Sequence, residues 1–442
     1  MPRYIGVLII YLFLFQLSFN ALAKSSWDLT TDAKIESVYW PKSYGEDTNN
    51  TLHRLELIPT LSGKFSNSFS GYFRPSFLWD PQNKSKEEQV FFDIGQAYFK
   101  YKGETSSLQL GSNILNWGVT DGYNPLDVVN GRQYYDPLRS VKLGAWSLLF
   151  SHASTSSEQE LIYIPRSRSS ILPGTQSRWL PRQIYIPRSI ENNVVLLLPE
   201  NLNYTYESRE TLNQALDNNV GLRLQWHFNS NLGAIDLGFT GFEGVATFPL
   251  IQPKVTGTVI QISPQLILQT DPDVFLRIKD YRQRVGGFSW VSSQFGFLLK
   301  YVTNYSQSLG DDPLLPGWTH ENIFGLERNF NIGSEGLLVG ILQYSFINTE
   351  KENASNLSVT EIFRRAWMAG GRFTWGDNWT FTALGLYDSL RYSHFQQYSL
   401  ARRIADVWTL QLSAELISGR EDTPLGVYNE NDNYRLSLGR SF

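Results

Sequence analysis

Apolar and polar residues alternate with a period of two along most of this chain, in segments longer than globular strands usually run. In Gly221–Phe228, Leu222, Leu224, Trp226 and Phe228 alternate with Arg223, Gln225 and His227. The polar turn Asn229-Ser230-Asn231 follows, and then Ile235, Leu237 and Phe239 alternate with Ala234, Asp236, Gly238 and Thr240. Trp408, Leu410, Leu412, Ala414 and Leu416 likewise oppose Thr409, Gln411, Ser413 and Glu415. Phe295, Phe297, Leu299, Tyr301 and Tyr305 oppose Gln294, Gly296, Lys300 and Asn304. A period of two puts the two sets on opposite faces of a strand, and Arg, His, Asp and Lys make the second face wet. Similar segments lie near 28–40, 52–64, 68–79, 89–102, 105–113, 143–152, 157–165, 279–291, 320–331, 336–347, 363–376 and 378–389. Strands of this length exceed the usual ~5–6 residues and match the roughly 9–11 tilted residues that cross a bilayer.

The links between segments alternate too. Short ones fall at Gly103-Glu104, Asn229-Ser230-Asn231, Ser292-Ser293, Gly333-Ser334-Glu335 and Gly376-Asp377. Long ones fall near 41–51, 80–88, 114–142, 166–217, 247–278, 306–319, 348–361 and 419–431. The pattern predicts an all-β fold, a closed antiparallel transmembrane β-barrel with short periplasmic turns and long extracellular loops. With both termini on one side the strand number is even; the count is about 16, with 14 or 18 allowed because 255–278 and 391–405 are ambiguous. A barrel of this size leaves an aqueous lumen.

Both ends of the chain fit that expectation. Residues 1–23 read as a cleaved signal peptide: Arg3, an apolar run from about Ile5 to Phe19, then Ala21-Leu22-Ala23. The barrel would then occupy 24–442. At the other end, Tyr434, Leu436, Leu438 and Phe442 alternate with Arg435, Ser437, Gly439 and Ser441 up to the last residue. This ladder resembles the C-terminal signature of Gram-negative outer-membrane porin-like barrels, with alternate apolar residues ending in Phe. The resemblance implies that these four residues are an assembly signal read by the barrel assembly machinery. Arg440 departs from it, occupying an outward slot usually taken by an aromatic.

Composition sharpens the picture. Aromatic residues make up 14% of the 442 residues, yet the mean hydropathy is negative. Alternating strands with aromatic girdles at both interfaces account for both. There is no cysteine, so disulfides and cysteine–metal sites are excluded, and a formal net charge of −4 suggests no nucleic-acid partner. Strand patterning begins almost at Trp27, which argues against a plug domain. No G-x-S-x-G elbow, H-E-x-x-H or P-loop occurs. The five histidines, His53, His152, His227, His320 and His394, lack metal-ligand spacing. The expectation is therefore no enzyme, no metal and no cofactor.

Two long links carry candidate chemistry. Residues 111–144 hold Asn-Pro and Asp-Pro breaks, and Asp121, Asp127, Arg132, Asp136, Arg139 and Lys142. Their Trp-Gly, acidic residue and Pro-Leu-Asp resemble a segment of large porin-like barrels. The functional reading is a loop, 113–142, folded into the lumen, where Asp121, Asp127, Arg132, Asp136 and Arg139 shape a constriction. An ordinary surface loop packed through Tyr123, Tyr134 and Tyr135 is the bland alternative. The link 166–217 carries Arg166, Arg168, Arg178, Arg182 and Arg188. It reads as an anion-attracting pore mouth, a contact for lipopolysaccharide phosphates, or a plain solvated loop. Tyr-Ile-Pro-Arg-Ser occurs in it twice, at 163–167 and 185–189, and 207–219 reads as a short amphipathic helix capped by Ser208.

The sequence thus points to an outer-membrane channel of a Gram-negative bacterium for passive diffusion of small polar or charged solutes. Its expected surroundings are outer-membrane lipid and lipopolysaccharide, with a homotrimer as one compatible assembly. The rival reading is a non-conducting barrel whose basic loop docks surface polysaccharide or lipopolysaccharide.

Overall fold

The computed structural model describes residues 26–43, 50–180, 194–197, 202–230, 233–263, 266–350, 359–420 and 423–442. The proposed signal peptide, Arg182, Arg188 and the second Tyr-Ile-Pro-Arg-Ser copy lie outside them.

Eighteen strands form one continuous sheet. They are β1 Ser26–Tyr39, β2 Thr51–Lys64, β3 Phe69–Trp79, β4 Val90–Lys102, β5 Ser106–Asn113 and β6 Ala145–Ala153. Next come β7 Ser157–Arg166, β8 Asp217–Ser230, β9 Gly233–Val245, β10 Arg282–Gln294, β11 Phe297–Leu309 and β12 Trp318–Ile332. The last six are β13 Gly336–Thr349, β14 Arg365–Trp375, β15 Trp379–Asp388, β16 Ser393–Ile404, β17 Trp408–Ser418 and β18 Asn433–Ser441. Each pairs antiparallel with its sequence neighbour, and β18 pairs with β1 from Tyr39↔Tyr434 to Asp32↔Ser441. The sheet therefore closes, and no edge is left with unpaired backbone groups.

The count settles at 18, the upper end of the expected range. The two ambiguous stretches resolve oppositely: Ser393–Ile404 is a barrel strand, whereas 255–278 falls in a separate sheet. That sheet pairs the antiparallel strands Leu250–Gln261 and Leu266–Asp280, and three short strands between 194 and 211 run parallel to the second. Connection lengths alternate around the barrel, except that β15 and β16 are joined at the long-loop end by residues 389–392 alone. The helix expected over 207–219 is absent. Glu210 and Thr211 pair with Lys279 and Asp280, and only one 3₁₀ turn follows, with Asn213 and Gln214 at positive φ.

The period of two sorts the side chains as expected. Phe99, Leu110, Trp146, Phe150, Leu161, Leu222, Phe239, Phe324, Trp367 and Leu412 are exposed on the outer wall. Inward positions alternate with them and carry Glu36, Arg54, Arg223, Lys300, Glu321, Gln343, Glu415 and Arg435. Tyr434, Leu436, Leu438 and Phe442 are exposed outward, as the terminal ladder requires. Arg440 lies over the rings of Trp408 and Phe442, at 4.9 and 4.4 Å, which gives its charge a cation–π partner on the outer wall. The buried apolar clusters lie inside the cylinder, between its wall and the inturned loops.

Candidate functional site: a loop folded through the lumen

The link between β5 and β6 turns inward. Its neck is tied by Asn130, which is 1% exposed. The side chain accepts from the Leu115 amide at 2.9 Å and donates to the Asn113 and Leu143 carbonyls at 2.8 and 2.9 Å. One amide group thus joins both ends of the loop. Beyond the neck, Leu115, Trp117, Val128 and Val129 pack on Leu149, Ile162, Ile164, Phe242 and Val285 of the inner wall. The Trp117 indole donates to Glu160 of β7 at 2.9 Å. Asn124-Pro125 breaks the backbone, and Leu126 then inserts against Val302 of β11 and Ile323 of β12.

The tip reaches the far wall. The Gln343 amide of β13 donates to the Tyr123 carbonyl at 3.0 Å, and Asn304 of β11 donates to the Pro125 carbonyl at 3.0 Å. The Tyr123 hydroxyl donates to Glu321 of β12. Its ring stacks on Phe363 with centroids 4.3 Å apart. Asp121 pairs with Lys300 at 2.6 Å, and Lys300 also meets Glu327 at 2.9 Å. On the return path, Asp136 pairs with Arg435 of β18 at 2.8 Å, and Arg139 meets Glu415 of β17 at 2.5 Å. Arg435 further contacts Glu415 and Glu36, and Glu36 is also paired with Arg54 and Lys34. The loop is therefore held at β7, at β11–β13 and at β17–β18, points spread around the whole cylinder.

This arrangement brings the five loop residues expected at a constriction inside the barrel. Asp121, Asp127, Arg132 and Arg139 line a cavity of about 600 Å³, closed on its other sides by Glu321, Glu361 and the Thr247–Phe248 turn. Asp127 is shared by Arg132 and Lys142, so the loop surface presents balanced charges of both signs. Asp136 sits apart, in a recess of about 90 Å³ beside Arg54 and Arg435. Glu321, Glu415, Arg435 and Asn130 escaped the sequence reading. The loop partners of Glu321, Glu415 and Arg435 lie 198, 276 and 299 residues away, and only strand parity marked Glu415 and Arg435 as wall positions. Asn130 is 13 to 17 residues from its partners, but nothing local distinguishes it from any other loop Asn.

The basic loop is arranged otherwise. Arg166 pairs with Asp217 at 3.5 Å and keeps an exposed side chain. Arg168 pairs with buried Asp93. Arg178 lies 4.8 Å over the Trp40 ring and donates to the Lys42 and Glu430 carbonyls at 2.9 and 3.0 Å. These three arginines are engaged in separate contacts: Arg166 across the β7–β8 pair, Arg168 to strand β4, and Arg178 to the β1–β2 and β17–β18 loops.

In the recess beside this loop, Asp80 and Glu88 are buried and share the Asn83 amide. Burial pushes the Asp80 carboxyl up to about 6 and raises that of Glu88. Among the described residues no cluster of histidine and carboxylates has metal-ligand geometry.

No family model matches the sequence, and no curated protein matches it. Solved structures do match, and they are Gram-negative outer-membrane porins. OccK2 (OpdF) of Pseudomonas aeruginosa superposes with a TM-score of 0.53 at 10% identity, over 94% of this chain and 98% of that one. The same protein in complex with glucuronate gives 0.51 at 10% identity, over 94% and 98%. OccAB1 of Acinetobacter baumannii gives 0.50 at 8% identity, over 95% of this chain and 97% of that one. At these identities the likeness is one of fold: a closed barrel traversed along its full length.

Proposed function

We propose that this protein is an outer-membrane channel of a Gram-negative bacterium, through which small polar or charged solutes diffuse passively. The observation that carries the reading is the 114–144 loop, drawn through the lumen and pinned to the wall on opposite sides, with charges facing a cavity of about 600 Å³. In this reading the apolar outer band contacts lipid, and the long loops face the exterior. Asp121, Asp127, Arg132 and Arg139 set the field that a passing solute meets, and Asp136 holds the loop in place through Arg435. Tethering at both walls keeps the field in a fixed position, so selection is by size and charge without a moving part. The structural relative OccK2 has been solved with glucuronate. A hydroxylated organic acid of that size is a sensible first solute to try here.

The docking alternative draws less support, because Arg168 and Arg178 are occupied by Asp93, Trp40 and backbone carbonyls. Purified protein in a planar bilayer should give stepwise single-channel conductance. A barrel that inserts and stays silent at all voltages overturns the channel reading. If it conducts, replacing Asp121 and Asp127 by Asn should shift the reversal potential in a salt gradient toward anion preference; an unmoved potential removes these residues from the constriction.

A further inference from the structure

The outer wall breaks its apolar relief at one place. Gly241 of β9 and Gly286 of β10 are register partners on outward positions, and neither has an atom within 4 Å of where a side chain would begin. Leu222 pairs with Gly241 on one flank, and Tyr305 with Gly286 on the other. Phe239 and Phe288 stand one step toward the short-turn end. The result is a groove of about 510 Å³ on the lipid side of the wall, with carbon along most of its length. Its far flank carries Thr303 and His320, whose hydroxyl and Nε2 are 3.0 Å apart.

Directly toward the long-loop end, Glu243 and Arg284 are the next outward register pair. Two guanidinium groups converge on this one carboxylate. Arg282 reaches Oε1 at 3.2 Å, and Arg284 reaches Oε2 with Nε at 3.0 Å and Nη2 at 2.9 Å. The rim therefore keeps one positive charge in excess, and the Arg284 side chain is 61% exposed.

We propose that this groove is a lipid site, seating an acyl chain of a phosphorylated glycolipid of the outer leaflet with its phosphate on Arg284. The assignment rests on the outer-membrane placement proposed above and not on conduction. A void against the wall forfeits dispersion contacts, which a chain lying over the two glycines restores. That chain leaves one hydrocarbon environment for another, so its packing alone gives little preference among lipids. The headgroup decides: a guanidinium with donors to spare, at the edge of a low-dielectric layer, selects phosphate over a zwitterion. A second copy of this barrel is the weaker occupant, because it would bury the excess charge of the rim without a partner.

Native mass spectrometry of the full chain, purified in mild detergent and titrated with defined lipids, tests this. Diphosphoryl lipid A should bind wild type at one preferred site. Arg284→Gln should weaken that binding about tenfold, the loss of one charge-assisted contact. Gly241→Leu with Gly286→Leu, which fills the groove and leaves Arg284 in place, should separately weaken it by displacing the chain. Dioleoyl phosphatidylcholine should bind wild type and variants alike, and Leu412→Phe on the distant wall should change nothing. Lipid A binding unaffected by Arg284→Gln overturns the proposal, even if the leucine variant fails to fold. Dioleoyl phosphatidylglycerol bound as tightly as lipid A overturns the glycolipid assignment. A multimer that the leucine variant dissolves overturns the lipid site in favour of a second copy. A channel that never conducts yet shows the expected lipid pattern would leave this site standing and sink only the conduction reading.

Discussion

Arg435 shows how much one side chain on the inner wall does. It is nearly buried and touches Glu36 of β1, Glu415 of β17 and Asp136 of the inturned loop. Arg435→Met should leave these carboxylates without their shared cation, at a cost of about 3–5 kcal/mol. The temperature at which the folded form unfolds in heat-modifiability gels should fall, and adding Glu415→Gln should recover part of the loss. Asp80 makes a different prediction. Its carboxyl ionises at about 6 in the folded loop against 3.8 when free, because burial disfavours the charge. Between those values the folded state holds the proton more tightly than the unfolded chain does, so stability falls as pH rises from about 4 to about 6. Above that window the full penalty of the buried charge is present. Asp80→Asn should flatten this dependence, so the variant should gain melting temperature relative to wild type at pH 7 and none at pH 4. An equal difference at both values would contradict the assignment.

At the scale of elements, the terminal strand and the inturned loop behave oppositely toward the rest of the barrel. Strand β18 is hydrogen-bonded on both sides, to β17 and to β1, and Phe442 exchanges backbone hydrogen bonds with Thr31 at 3.0 and 3.3 Å. Removing residues 433–442 would expose two strand edges, so no compact folded band should survive in unheated gels. The inturned loop, by contrast, is dispensable to closure, because no barrel strand depends on it for pairing. Tyr123→Ala removes the hydroxyl bond to Glu321 and the stack on Phe363. The barrel should still assemble, while single-channel conductance should rise as the loop tip leaves the far wall. Unchanged conductance with an intact barrel would place the narrowest point elsewhere. The 207–219 segment marks the limit of local reading at this scale. Its capping pattern suits a helix, but Glu210 and Thr211 are captured by Lys279 and Asp280, and Asp217 by Arg166 across the β7–β8 pair. Long-range pairing there outweighs a propensity worth only tenths of a kcal/mol per residue.

For the molecule as a whole, the two faces of one wall set opposite rules for substitution. Leu412 faces outward and neighbouring Gln411 faces the lumen. Leu412→Arg should cost about 2–4 kcal/mol near the bilayer midplane, whereas Gln411→Arg should cost little and alter conductance instead. Urea titration of refolded protein in lipid vesicles measures both, and equal costs would contradict the parity. That parity was legible in the sequence except at one turn, because a period of two is a local property and each residue's face follows from its neighbours alone. The link expected at Ser292-Ser293 lies inside β10, and Phe295-Gly296, at positive φ, make the turn instead. Closure was legible for the same reason, since the Tyr434–Phe442 ladder leaves no other way to pair a last strand. The strand number was not: whether 255–278 or 393–404 enters the wall depends on which partner each finds in space, and both alternate equally well. The site was half legible. Pro, Gly and mixed charges singled out 111–144, but not that Asn130 would tie its neck or that Glu321, Glu415 and Arg435 would receive it. The Gly241–Gly286 groove lay wholly out of reach, because the two residues stand 45 positions apart and meet only through the register of β9 on β10. Sequence alone determined the cylinder and its two faces, since alternation acts between adjacent residues. Tertiary structure decided what crosses the lumen and where the outer wall opens, since those depend on contacts between strands that the chain brings together only by folding.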